Sequence, residues 1–243
     1  MRFLLSLITG VITAATWALD PASAGTPITA DHPTLQPYTA VYTARYNRMP
    51  IEAHRHLRSE GNIFTLATEA RAFLGRIHEE ERFHLDSEGQ LIPADYVYER
   101  SILGTSRKES IAVDADAGTS ISDRKGEQTV LDFQPGQLGP LSYQIALAHD
   151  LAAGATRMNY QVIHRGRLRD YIYQVVEDNE SLETPLGTLS TIRVERVRDD
   201  DDRETVLWLA PELHYLPVRL VQVEDGEAYE MSIKSFTLKP PRD

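Results

Sequence analysis

Two imidazoles one residue apart, His54 and His56, with Glu52 beside them, are the first group along the chain whose residue types could do chemistry. On an extended strand these three share a face, and nitrogen and oxygen donors so placed can hold zinc or copper. That face is also the polar side of an alternating strand, and solvation accounts for it without an ion. No metal site and no cofactor is expected. Glu79-Glu80-Glu81 offers carboxylates for acid–base work. Adjacent strand residues point to opposite faces, and nothing in the sequence marks any of the three as desolvated, so they read as solvated. Asp199–Asp202 lacks the alternating oxygen ligands, central Gly and distal Glu of a calcium loop, and reads as a charged hairpin tip. Ser142, at the start of a helical segment, reads as a partner for first-turn backbone amides, not a nucleophile. There is no nucleophile-elbow, phosphate-loop or zinc-protease motif. No residue is assigned as catalytic.

The tyrosines carry more weight. Tyr38, Tyr42 and Tyr46 fall on one face of the first strand, and Tyr96 and Tyr98 form a pair on a later one. Such rows serve as sheet packing with the phenol oxygens reaching polar partners, or as the lining of a concave face that takes an apolar ligand. In the second case Tyr42, Tyr46, Tyr96 and Tyr98 are the expected lining residues.

The elements that would position these groups are strands. Tyr38–Asn47 alternates with period two, and further alternating runs follow to Asp114. In the run from Ile51, Ala53 and Leu57 lie on one face, with Glu52, His54, His56 and Arg58 on the other. Gly139-Pro140 opens one helix, over 141–152, whose Leu141, Ile145, Ala148 and Ala152 form a stripe, and Gly154 closes it. Strands then resume from Arg157 to Leu238. About eleven strands are expected, in an all-β, or β-dominated, fold: a curved antiparallel sheet or half-open barrel with one helix packed on the concave side. Residues 38–238 read as a single β-rich domain, 25–37 as a flexible leader and 239–243 as a C-terminal tail.

Residues 1–24 have the three parts of a cleaved export signal: Arg2, an apolar run from Phe3 to Trp17, and Ala22-Ser23-Ala24. Cleavage between Ala24 and Gly25 is expected. The processed chain would be periplasmic and not membrane-spanning. There is no Cys, which excludes disulfides, thiolate metal sites and a lipid anchor on a Cys. A net charge of −11 disfavours nucleic acid as a partner.

The C-terminal half holds the most specific local pattern. Thr184-Pro185-Leu186-Gly187-Thr188 is a turn with Gly187 where a positive φ is needed. Trp208-Leu209-Ala210-Pro211 and Tyr215-Leu216-Pro217-Val218-Arg219 follow, with Pro211 and Pro217 bracketing a turn and Trp208 supplying an apolar body beside it. With the helix that begins Leu141-Ser142-Tyr143-Gln144, this pattern resembles the bacterial family of exported proteins known as domain of unknown function 3108. The resemblance implies an architecture similar to the half-barrels of periplasmic lipoprotein carriers. The expected function is a non-enzymatic binding or carrier module for an envelope component: a lipid, an acylated peptide or a glycan. A structural or interaction protein of the envelope, using its sheet edge or acidic face, is the alternative. A hydrolase with a His/carboxylate pair ranks third.

Overall fold

The computed structural model describes residues 27–46, 49–72, 75–102, 104–198, 203–224 and 227–239, without the side chains of 45–46, 49–50, 203, 224 and 227. The export signal and its cleavage point at Ala24 and Gly25 lie outside this set, as do the tip 199–202 and the last residues of the tail. Among the described residues no helix is long and apolar enough to cross a membrane.

Fourteen strands form one antiparallel sheet. The first eight are β1 (Tyr38–Tyr46), β2 (Met49–Glu60), β3 (Ile63–Ala72), β4 (Gly75–Leu85), β5 (Leu91–Ile102), β6 (Thr105–Asp114), β7 (Thr119–Arg124) and β8 (Glu127–Asp132). After the helix α1 (Ser142–Ala152) come β9 (Arg157–His164), β10 (Arg167–Thr184) and β11 (Gly187–Val197). The last three are β12 (Arg203–Ala210), β13 (Leu216–Glu224) and β14 (Glu227–Leu238). The order is β8-β7-β6-β5-β4-β3-β2-β1-β14-β13-β12-β11-β10-β9, so the two chain halves are meanders joined where β1 pairs with β14. The sheet is curved but not closed by hydrogen bonds between β8 and β9.

The sequence reading of about eleven strands is low because β7 and β8 carry little apolar alternation. Five of the six residues of β8 are exposed. An edge strand lying against one neighbour needs no apolar face, so the period-two signal is absent there.

Cross-strand partners share a face, so the register sorts the side chains. One ladder across β1–β7 runs Tyr38, Leu57, Leu66, Glu81, Tyr96, Ile111, Ser122. Every member is buried, which makes this the inner face. The outer face is polar, as in the ladder His54, Glu69, His78, Glu99, Lys108. The alternating sequence pattern thus decides inside from outside, and the sheet's curvature wraps the inner side around α1.

The helix has buried residues on most of its circumference: Ser142, Ile145, Leu147, Ala148, His149 and Leu151. Its backbone lies closest to β5, β9 and the leader's 3-10 turn Pro33–Leu35, and Tyr143 packs edge-on against Tyr171 and stacks on Tyr173 of β10. It plugs one end of the half-barrel. One cavity beside Glu81 and Pro140 and another at Glu109 and His164, bounded by described residues, hold about 10 Å³ each, room for a single water.

Residues 27–37 are not a free leader. Ile28 donates from its N–H to the Gly89 carbonyl at 2.9 Å, the His32 and His149 rings meet at 4.5 Å, and Leu35 is 1% exposed. The leader closes the helix end of the barrel because its few apolar side chains fall where the plug leaves a gap. Leu35→Ala is expected to cost about 2–5 kcal/mol, read from urea melts. An unchanged midpoint would show that the segment is dispensable.

Candidate functional site: the concave face of the sheet

Tyr42 and Tyr96 lie on the inner face but are sealed in the core, and each hydroxyl is engaged. Tyr42 donates to the Pro217 carbonyl at 2.9 Å, and Tyr96 to Glu79 Oε1 at 2.7 Å. Burial raises the pKa of both phenols. They pack the core instead of lining a hollow, Tyr96 on β5 where α1 makes contact and Tyr42 toward Pro217 of the second meander. Tyr98, one ladder further out, is half-buried and stays on the accessible part of the face. The side chain of Tyr46 lies outside the described residues.

Glu81 has the most unusual setting. Its side chain is 0% exposed, and Oε2 accepts the N–H groups of Leu141 at 2.5 Å and Ser142 at 3.0 Å. These are first-turn donors of α1 that no local side chain caps. A carboxylate from β4 therefore does the work of a helix cap across 60 residues of chain. Ser142 Oγ accepts the Gly139 N–H at 2.9 Å, before the helix, so the first-turn amides expected to be its partners are met by Glu81 instead. Gly139 lets the chain pass close, since a Cβ there would overlap the Glu81 carboxylate. Burial pushes the Glu81 pKa up to about 7, against the pull of the Ser142 side chain and the two backbone N–H groups. Oε1 has no hydrogen-bond partner. Glu79, two residues away on the same face, is also raised by burial, and its hydrogen-bond partner is Tyr96, not an imidazole.

The solvated reading of Glu79-Glu80-Glu81 therefore holds for neither Glu79 nor Glu81. A signal was available. Ile77, Phe83 and Leu85 share the parity of Glu79 and Glu81, so both carboxylates interrupt an apolar face. Arg55 repeats the case, sharing parity with Ile51, Ala53 and Leu57.

Beyond the Glu81 ladder the inner face stays buried at Ala40, Tyr42 and Ala53 and becomes more accessible toward β4 and β5. The next ladder is Ala40, Arg55, Thr68, Glu79, Tyr98, Glu109, Arg124. The one after is Tyr42, Ala53, Ala70, Ile77, Arg100, Arg107. Here Ala70, Ile77, Ile51 and Ile102 are half-buried, and α1 has no contacts with β2–β4 to rival those with β5 and β9. Arg55 donates from Nε to the Tyr38 hydroxyl at 2.9 Å.

At the seam between the sheet's two ends, Glu109 collects three guanidinium groups. Arg107 pairs with it, Arg124 donates at 3.1 Å, and Arg165 from the β9–β10 turn reaches it at 3.5 Å. These arginines lower the Glu109 pKa against the opposing effect of burial. His164 beside them falls to about 4, through burial and then the neighbouring Arg165 charge. Without strand pairing between β8 and β9, the seam is bridged by these charges and by the β9–β10 turn, whose Gly166 lies against Thr129 of β8.

The expected anchors sit in the second meander. Gly187 has φ +105°, the left-handed conformation the turn requires. Pro211 opens a 3-10 turn over Pro211–Leu213, and His214 and Tyr215 then adopt φ of 58° and 59° to reverse the chain. Pro217 lies opposite Leu209 at a bulge. Trp208 is on the outer face, opposite Arg193 and Arg219, and is buried with the Arg219 guanidinium 4.8 Å over its ring. On the outer face of β2, His54 bonds Glu52 at 3.0 Å, and Glu52 also bonds Lys234. Among the described residues no cluster of three or more His, Asp or Glu is arranged to hold a metal ion.

Among solved structures, the fold is similar to a β-barrel-like protein of domain-of-unknown-function family 1849 from Brucella abortus. The TM-score is 0.56 at 11% identity, over 84% of this chain and 98% of that one. A protein of Parabacteroides distasonis, provisionally named a lipoprotein, aligns with a TM-score of 0.31 at 10% identity, over 87% of this chain and 97% of that one. No curated protein matches the sequence. Residues 41–234 match a family of proteins of unknown function, DUF3108, and the chain belongs to it.

Proposed function

We propose that this protein is a periplasmic, non-enzymatic binding or carrier module for an envelope component, held on the open part of the concave face. The observation that carries the reading is the half-buried apolar surface of Ile51, Ala70, Ile77 and Ile102 on the inner side of the sheet, beyond the reach of the plug. Apolar side chains on the concave side of a curved sheet, left uncovered by the protein's own helix, mark where an apolar ligand would gain most from leaving water. Tyr98 borders this surface. Titration with an environment-sensitive acyl probe should give saturable binding that Ile77→Asp abolishes without moving the thermal midpoint. Absence of saturable binding would sink the carrier reading.

A second reading rests on a different place. The far edge of β8 pairs with no strand, and its outward Val130 is 63% exposed beside Ile121 at 42%. The opposite edge, β9, is partly covered by Leu138, which exchanges two backbone hydrogen bonds with it at 2.9 Å. An edge with apolar residues, met by the β9–β10 turn only at Thr129, suits an envelope protein that adds a strand.

A further inference from the structure

The net charge of −11 leads one to expect an acidic cavity, yet the concave face has the opposite balance. Its carboxylates are already engaged. Glu81 is bound to the start of α1, Glu79 to the Tyr96 hydroxyl, and Glu109 to three guanidinium groups. Its arginines are not. Arg55 on β2 makes one hydrogen bond, to the neutral Tyr38 hydroxyl, and among the described residues no close ion pair, with Glu79 the carboxylate whose charge reaches it. Arg100 on β5 shares the inner face, stands opposite Arg107, and pairs with no carboxylate among the described residues. Arg196 on β11 lies opposite Tyr173, with its guanidinium 3.5 Å over the Tyr171 ring and a buried Nε that has no hydrogen-bond partner.

Arg55 is half-buried and its nearest carboxylate, Glu79, is held by Tyr96, while the exposed Arg100 stands opposite Arg107, and two arginines so placed on a sheet repel. Such an arrangement persists where something outside the chain supplies the negative charge. Arginine is also suited to the purpose, because its planar fork matches the oxygens of a carboxylate or phosphate two at a time.

Resting on the carrier reading, we infer that the ligand is an anionic amphiphile: its acyl chain lies along the Ile51, Ala70 and Ile77 surface, and its carboxylate or phosphate headgroup is received by Arg55 and Arg100.

The test is isothermal titration of the full processed chain with two lysolipids of equal chain length, lysophosphatidylglycerol and the zwitterionic lysophosphatidylcholine, both below their micellar concentrations. The anionic lipid should bind at least about tenfold more tightly, with the advantage shrinking as salt rises from 50 to 300 mM. An Arg55→Gln/Arg100→Gln double variant should bring its affinity down to that of the zwitterion and leave the zwitterion's affinity unchanged. Should the double variant not fold, Arg100→Gln alone, at an exposed position, carries the same comparison. Equal affinity for the two lipids in the wild type would overturn the charge inference while leaving the carrier reading intact. Binding of neither would remove both. Glycerol phosphate binding as tightly as the anionic lysolipid would overturn the amphiphile and point to a soluble anion.

Discussion

Trp208→Ala is expected to lower the stability of the folded chain by about 3–5 kcal/mol, the usual cost of removing a large buried aromatic side chain and leaving its cavity. Trp208 is 8% exposed although it lies on the outer face of the sheet. The burial comes from its neighbours. Arg219 stacks over the ring and is held there by Glu230 at 2.9 Å. On the other flank Arg193 is held by Glu180 at 3.3 Å. Truncation would therefore also release two stacked or abutting guanidinium groups into water, a term of about 0.5–2 kcal/mol in such contacts. The indole Nε1 has no hydrogen-bond partner, so the loss is one of packing, and Trp208→Phe should recover most of it. Urea melts of the three proteins decide the matter. Superimposable wild-type and Ala curves would mean that the ring is not buried in solution.

The second large effect is a pH dependence written into Glu81. Its ordinary pKa of 4.5 is raised by burial to about 7 in the folded chain. A raised folded pKa means that the native state holds its proton where the unfolded state has released it. The associated stability is present below pH 4.5 and is lost as pH rises to 7. At 1.36 kcal/mol per unit the swing is about 3 kcal/mol. Glu81→Gln mimics the neutral acid and keeps an oxygen for the Leu141 and Ser142 N–H groups. Its stability relative to wild type should therefore climb by roughly that amount between pH 4.5 and pH 8, as measured by urea melts at each pH. His164 provides the opposite control. Its folded pKa lies at about 4, below the ordinary 6.5, so the native state prefers the neutral ring, and stability is lost as pH falls through that window. The two slopes oppose each other in the wild type, which is why the variant-minus-wild-type difference is the quantity to follow. Parallel pH curves for wild type and Glu81→Gln would show that the carboxylate ionises freely and is not sealed under the helix.

Much of this protein was readable from its chain. Period-two alternation in runs such as Tyr38–Tyr46 and Ile51–Leu57 determined the strands and which residues share a face, because a pleated backbone sends neighbours to opposite sides wherever it lies. Gly139-Pro140 and Gly154 bounded the single helix, and Gly187 and the Pro211/Pro217 pair marked the turns of the second meander. The pattern failed where burial ceased to be one-sided. Polar β8 at the sheet's edge has no apolar face to announce it, and the leader 27–37 has too few apolar residues to show a period.

The site was legible only as a set of exceptions. Glu79, Glu81 and Arg55 stand on faces whose other members are apolar, but alternation alone cannot say whether such a residue is sealed or solvated. That was decided by the tertiary structure. The curve of the sheet brings the start of α1 over Glu81, 60 residues away in sequence, and burial there raises its pKa to about 7. The same helix packs against β5, where Tyr96 is buried, and leaves Arg55 and Arg100 on a face whose carboxylates Glu79 and Glu109 are already held by Tyr96 and by three arginines. Those distances depend on where a plug sits in a half-barrel, a property of closure between distant strands that no local run of residues encodes.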